Sequence, residues 1–225
     1  MADRRRFSAV LFDLDGTLVE TRRDIASAVN AMLEERGLLP LPVERVADHV
    51  GSGARVLVAR CLAECGVASP RPDEIESAYE RFHARYLERL LDSTHAYPGI
   101  VGLMERIRAA SIPMGVVTNK PIVPTERILQ GLGLAGYFGI VLGMESLPER
   151  KPHPAPLLHA WERLASNEGI AVLAGDMLID IEAARAASLP VAAVTWGYTP
   201  REVLAAAAPD FLADDAASLG DWILL

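Results

Sequence analysis

Five short runs of mostly apolar residues punctuate the chain, at 8–13, 113–118, 138–142, 171–176 and 190–195. They do not alternate between apolar and polar positions. Each therefore reads as a strand buried on both faces, the pattern of a parallel sheet covered by helices. Helical spacing fills the intervals. GIVGLMERIRAAS leads into the second run, TERILQGLGL into the third, PAPLLHAWERLAS into the fourth and DIEAARAAS into the fifth. This succession predicts an α/β fold with a parallel sheet and helices on both faces.

One interval breaks the rhythm. From Thr17 to about Thr94 no strand is evident, and four helical stretches follow one another: RRDIASAVNAMLEERG, VERVADHV, GARVLVARCLAECG and PDEIESAYERFHARYLERLL. In the last, Ile75, Tyr79, Phe82, Tyr86 and Leu90 recur at steps of four and three, an amphipathic stripe. The expected organisation is a discontinuous core, 1–16 with 94–225, interrupted by a helical insert over 17–93. Gly51 and Gly53, in HVGSGARV, punctuate the insert.

The ends of the predicted strands carry the chemistry. AVLFDLDGT closes the first run with Asp13 and Asp15, and VVTNKP closes the second with Thr118, Asn119 and Lys120. ERKPHPAP, after the third, supplies Lys151; GDMLID ends the fourth with Asp176 and sets Asp180 four residues on. In an open parallel sheet ligands bind beyond the carboxyl ends of the strands. These groups, distant in sequence, are therefore expected at one edge. Crowded acids repel, and a buried unpaired charge is costly. A hard cation answers both problems: Mg2+ takes oxygen ligands and usually keeps waters and substrate phosphate oxygens. Lys151, the Thr118 hydroxyl and nearby amides can then hold a phosphate. The plainer readings are that Asp15–Gly16 is a turn and that Asp180 caps the helix it opens.

Charge narrows the partners. Lys+Arg number 22 and Asp+Glu 30, a net charge of −8 that argues against a general nucleic-acid binder. An anionic substrate must then be drawn in by local positive charge. At 51% hydrophobic the chain can bury a sizeable core, yet no apolar run is long enough to span a membrane. The start MADRRRFSAV has basic residues but no apolar signal core. ADRRR reads as a solvated tail, with a polyanion-binding arm as the alternative. Cys61 and Cys65, four apart on one helical face, make neither a disulfide framework nor a zinc site. They read as reduced thiols of a cytoplasmic protein. Trp196 and Tyr198, in WGYTP, read as packing.

On these residues the chain resembles the haloacid dehalogenase superfamily. FDLDGTLVE, VVTNK, the lysine of RKPHPAP and GDMLID are similar in order and spacing to its four motifs, and the insert is similar to its helical cap. The resemblance spans nearly the whole chain. It implies a Rossmann-like α/β core with an inserted α-helical cap domain. VVTNKP, RKPHPAP and WGYTP further resemble the bacterial phosphoglycolate phosphatases. Two departures stand out: Met177 where a small or polar residue is usual, and Ser188 where glycine is usual.

The resemblance also implies roles. Asp13 attacks phosphorus and forms an aspartyl phosphate. Asp15, two residues on and so on the same side of an extended chain, serves as acid and base. Mg2+ is held by Asp13, the Asp15 carbonyl and Asp176, with Asp180 nearby. Lys151 is catalytic, while Thr118, Asn119 and Lys120 hold phosphate. Apart from the resemblance, GSGAR reads either as a plain helix start or as a lip on which Arg55 faces the substrate. The superfamily's dehalogenases lack an acid at the position of Asp15, so its presence favours phosphate over halide. The expected reaction is Mg2+-dependent hydrolysis of a small phosphomonoester, first 2-phosphoglycolate, by a monomer or homodimer. A sugar-phosphate phosphatase, acting for example on N-acetylmuramic acid 6-phosphate, is the alternative within this chemistry. From another class, a receiver-like signalling module also clusters acids, a threonine and a lysine at strand ends. Its acceptor does not sit on the first strand, however, and it carries no cap.

Overall fold

Every apolar run of the sequence is a strand in the computed structural model, which describes residues 7–165 and 169–225. In chain order the strands are β1 (Ala9–Phe12), β2 (Val19–Glu20), β3 (His95–Ala96), β4 (Met114–Val117), β5 (Phe138–Leu142), β6 (Ala171–Gly175), β7 (Val191–Val194) and β8 (Phe211–Ala213). Six of them form one sheet in the order β5-β4-β1-β6-β7-β8, every neighbour parallel. Strands β1, β4, β6 and β7 are buried along their whole length, as unbroken apolar runs require. The edge strands β5 and β8 are only partly covered. Strands β2, β3 and β8 have no counterpart in the sequence reading, and β2 falls within the interval expected to hold no strand: two or three residues leave no periodic signal. The ADRRR segment, expected as a tail, lies outside the described residues.

Helices α5 (Ile100–Ala109), α6 (Ile122–Gly131), α7 (Ala155–Ala165), α8 (Leu178–Ala186), α9 (Arg201–Ala206) and α10 (Ala216–Leu224) complete the sheet's layers. Leu157 and Ala160 of α7 and Ile181, Ala183 and Ala184 of α8 share one apolar cluster with Leu11, Leu173 and Val191. Each fully buried aliphatic side chain there contributes roughly 1.5–3 kcal/mol. The chain adds strands outward from β1 on one side, then crosses to β6 and adds strands outward on the other. The order thus reverses between β1 and β6, the place where open α/β sheets leave a crevice.

The chain divides into two compact units, Met1–Glu20 with Ala96–Leu225, and Thr21–His95. Residues Thr17 to Glu20 group with the sheet because their bonds run there: the Gly16 amide donates to the Val19 carbonyl at 2.9 Å and the Tyr97 amide to the Leu18 carbonyl at 3.1 Å. The second unit is helical: α1 (Arg22–Glu35), α2 (Val43–Ala47), α3 (Ala54–Glu64) and α4 (Pro72–Glu88). Phe82 and Tyr86 of the amphipathic stripe are buried, and Leu90 is buried beyond the end of α4. Asp24, in the first turn of α1, is buried and accepts from the Ser93 amide at 3.0 Å, the Thr94 amide at 2.8 Å and the Thr94 hydroxyl at 2.7 Å. It therefore ties the two ends of the helical unit together.

Ser188 has a specific structural position. Helix α8 ends in a Schellman motif, with the Ser188 amide donating to the Arg185 carbonyl and the Leu189 amide to the Ala184 carbonyl, both at 2.9 Å. That motif needs a left-handed residue, and Ser188 has φ +56°. Serine adopts it against the clash of its Cβ with its own carbonyl, which glycine lacks. Ser188→Gly is expected to raise stability by about 0.5–1 kcal/mol, the relief of strain less the extra entropy of an unfolded glycine. Urea denaturation checks this; an unchanged or lowered midpoint contradicts it.

Candidate active site

The carboxyl ends of β1 and β6 meet at the crevice. The Asp13 amide still belongs to the ladder, donating to the Ala174 carbonyl at 2.9 Å. Asp176 follows directly on β6. The turn after Asp15 brings Gly16 in with φ +81°, and a Cβ on Gly16 would stand 2.2 Å from Asp176 Oδ2. Only glycine permits that approach. Among the described residues, Asp13, Asp176 and Asp180 each offer an oxygen within 4.8 Å of the others, and all three are buried.

Lys151 enters this group from the loop after β5. Its buried ammonium lies 2.8 Å from Asp13 Oδ1 and 2.6 Å from Asp180 Oδ1. The Asn119 side-chain amide donates to the Lys151 carbonyl at 2.9 Å and fixes that loop. Asp180 has a second task. Its Oδ2 accepts from the Met177 amide at 3.0 Å, so it also covers an open amide in the first turn of α8. The sequence reading that made Asp180 the N-cap is corrected: Met177 is the N-cap, and Asp180, three residues on inside α8, reaches back to its amide while joining the acid cluster. Met177, the first departure, contributes this amide.

Asp15 is turned to a different partner. Both its oxygens lie against Lys120 Nζ, at 2.9 and 3.0 Å, in a buried pair. The sequence reading gave Lys120 to the phosphate; its ammonium in this structure is on Asp15. Thr118 is buried beside it and accepts from the Lys120 amide at 3.2 Å. Arg55 belongs to the helical unit. It donates two bonds of 2.7 Å to Glu76 in a fork, with its guanidinium 4.0 Å above the Tyr79 ring. Two partners of Asp176 escaped the sequence reading. The Thr17 hydroxyl donates to Asp176 Oδ1 at 3.0 Å and the Tyr198 amide to Oδ2 at 2.7 Å. A hydroxyl beside DxDG and a backbone amide in a loop carry no pattern of their own, although the glycine of WGY marks a close approach.

Residues 10–194 match the model of the haloacid dehalogenase-like hydrolases. The chain belongs to this family. It is 40% identical over 220 residues to the phosphoglycolate phosphatase of Rhodospirillum rubrum, an alignment covering 96% of this chain and 90% of that one. It is 39% identical over 202 residues to the phosphoglycolate phosphatase of Chromobacterium violaceum, covering 90% and 91%. A crystal structure of a predicted phosphoglycolate phosphatase from Haemophilus somnus superposes with a TM-score of 0.89 at 32% identity, over 97% of this chain and 99% of the other. With these relatives, this haloacid dehalogenase-like hydrolase is a phosphatase. Among the described residues no helix is long and apolar enough to cross a membrane.

The electrostatics of the cluster follow from burial. Burial, together with the charges of Asp13 and Asp180, holds the Asp176 carboxyl well above its usual range, against the pull of the Tyr198 amide and the Thr17 hydroxyl. Burial raises Asp180 to about 6, with Lys151 opposing. Burial alone would lower the Lys151 ammonium; Asp13 and Asp180 outweigh it and push it up. The donors are all carboxylate oxygens, a hard set that fits Mg2+ rather than a thiophilic ion.

Asp176 and Asp180 thus bind protons in the folded state at pH values where the unfolded chain has released them. For Asp180 this contribution favours folding at low pH and is lost as pH rises through about 6; that of Asp176 has the same sign. A cation on the same oxygens competes with those protons. The rise in melting temperature produced by Mg2+ is therefore expected to be larger at about pH 8 than at about pH 5. Thermal scans at both values check it; an equal rise at both would place the ion elsewhere.

Proposed function

We propose that this phosphatase hydrolyses 2-phosphoglycolate to glycolate and phosphate through an aspartyl phosphate on Asp13. The observation that carries the mechanism is the pairing of roles at the end of β1. Asp13 lies with Asp176, Asp180 and Lys151, whereas Asp15, two residues on, lies apart with Lys120. Two carboxylates in two environments suit two tasks. An oxygen of Asp13 attacks phosphorus, and the phosphorus–oxygen bond to the leaving group breaks. Asp15 gives that oxygen a proton, then takes one from the water that hydrolyses the aspartyl phosphate. Lys151 steadies Asp13 and the transferring phosphoryl group, with Thr118 and Asn119 beside it. Lys120 grips both oxygens of Asp15 and so aims it. When bound by Asp13, Asp176 and Asp180, with the Asp15 carbonyl, Mg2+ supplies positive charge that allows anionic nucleophile and anionic phosphate to meet. That the relatives are phosphoglycolate phosphatases supports phosphoglycolate as the ester. Free thiols at Cys61 and Cys65 support a cytoplasmic setting.

In this reading the helical unit is the cap and answers the substrate's carboxylate. Gly51 and Gly53 both have positive φ, +112° and +98°, just before Arg55. Glu76 already holds the fork of Arg55, so a substrate carboxylate exchanges with it rather than meeting an open guanidinium. The expected effect of Arg55→Ala is accordingly at the low end for a charge-assisted bond, about 1.5 kcal/mol on phosphoglycolate and less on an aryl phosphate.

Phosphate release from a panel of esters tests the proposal. Phosphoglycolate is expected to be the preferred substrate, and Asp13→Asn to lower turnover by at least about 10³-fold with the fold retained. Undiminished turnover by that variant refutes the mechanism. Preference for a bulky sugar phosphate refutes the substrate and leaves the mechanism standing.

A further inference from the structure

Asp176 differs from the other two acids of the cluster. Lys151 bonds to Asp13 and Asp180. What orients Asp176 is a set of neutral donors, one on each oxygen: the Thr17 hydroxyl on Oδ1 and the Tyr198 amide on Oδ2. Both belong to segments held by the loop after β7. The Trp196 indole N–H donates to the Thr17 carbonyl at 3.0 Å. Its ring leans on Tyr97, centroids 6.5 Å apart, and the Tyr97 hydroxyl donates to Glu20 at 2.9 Å. Between Trp196 and Tyr198 stands Gly197, where a Cβ would lie 2.3 Å from the Asp176 Cβ. The loop can lie flat on Asp176 only because that side chain is absent.

We propose that Trp196–Gly197–Tyr198 is a positioning element for Asp176. The loop fixes the carboxylate from two sides, by the Tyr198 amide directly and by Trp196 through Thr17, so that one face of Asp176 is presented to Asp13 and Asp180. The inference rests on the reading of these three acids as the Mg2+ site. A carboxylate ligand held by outer hydrogen bonds binds its metal more tightly, because less rotational freedom is lost on binding. Trp196 acts by keeping Thr17 in place.

Trp196→Phe keeps the aromatic packing on Tyr97 and removes the indole donor. Mg2+ binding by calorimetry is expected to weaken about 3–10-fold in this variant, and about 10–100-fold in Thr17→Val. The double variant decides the route. If Trp196 works through the Thr17 hydroxyl, Trp196→Phe adds no further loss in the Thr17→Val background. Melting temperature without Mg2+ is expected to fall in Trp196→Phe, because the Thr17 carbonyl loses its donor; the comparison of the two backgrounds, not the melting temperature, separates positioning from general destabilisation. Unchanged Mg2+ affinity in Trp196→Phe overturns the proposal, as does an equal loss in both backgrounds. Wild-type protein that binds no Mg2+ overturns the metal reading itself.

Discussion

Lys151 is the contact on which the site depends. It stands 138 residues from Asp13 and 29 from Asp180, yet its ammonium reaches both within 2.8 Å. Two buried carboxylates so close together would otherwise repel at low dielectric. A buried pair broken by removing one partner costs about 3–5 kcal/mol. The position of Lys151 in turn requires the sheet order, because the loop after β5 must return to the crevice between β1 and β6. It also requires Asn119, whose side-chain amide holds the Lys151 carbonyl. Strand, loop and helix start converge on one ammonium.

The same crowding explains why backbone, rather than more side chains, does much of the remaining work. Asp180 is steadied by the Met177 amide and Asp176 by that of Tyr198. Amides provide partial positive charge with no side-chain volume, and they do so where the chain turns at the ends of β6 and β7. Gly16 and Gly197 leave the space for this, both packed directly on Asp176. The departure at Met177 is harmless to this scheme, since the group used there is common to every residue but proline.

The sheet was largely legible because burial on both faces writes itself as unbroken apolar runs. The acids were legible because they violate that pattern: Asp13 and Asp176 stop strands whose every preceding residue is buried. Partnerships were harder. Lys120 lies two residues past Thr118, and nothing in VVTNKP tells whether its long stem leads to a phosphate or to Asp15. Arg55 and Glu76 are 21 residues apart on separate helices, beyond the reach of any local spacing rule. Thr17 was hidden inside DxDGT, where the acids claim the chemistry. Strand β8 was missed because an edge strand is covered on fewer sides and needs fewer apolar residues.

Charge accounts for what the core does and for what it leaves to other parts. Asp13, Asp15, Asp176 and Asp180 set four carboxylates against the two ammoniums of Lys120 and Lys151, in a chain already carrying −8. Protonation of the most buried acids relieves the excess when no cation is bound, which is the direction in which Asp176 and Asp180 are shifted. A divalent cation would relieve it without consuming a proton, while Lys120 stays on Asp15. In the proposed mechanism each of these groups serves the phosphoryl end of a substrate, the part that all phosphate esters share. The rest of the ester must be recognised by residues outside this set. Fold and core charges therefore do not by themselves name the substrate, which is decided by residues beyond them.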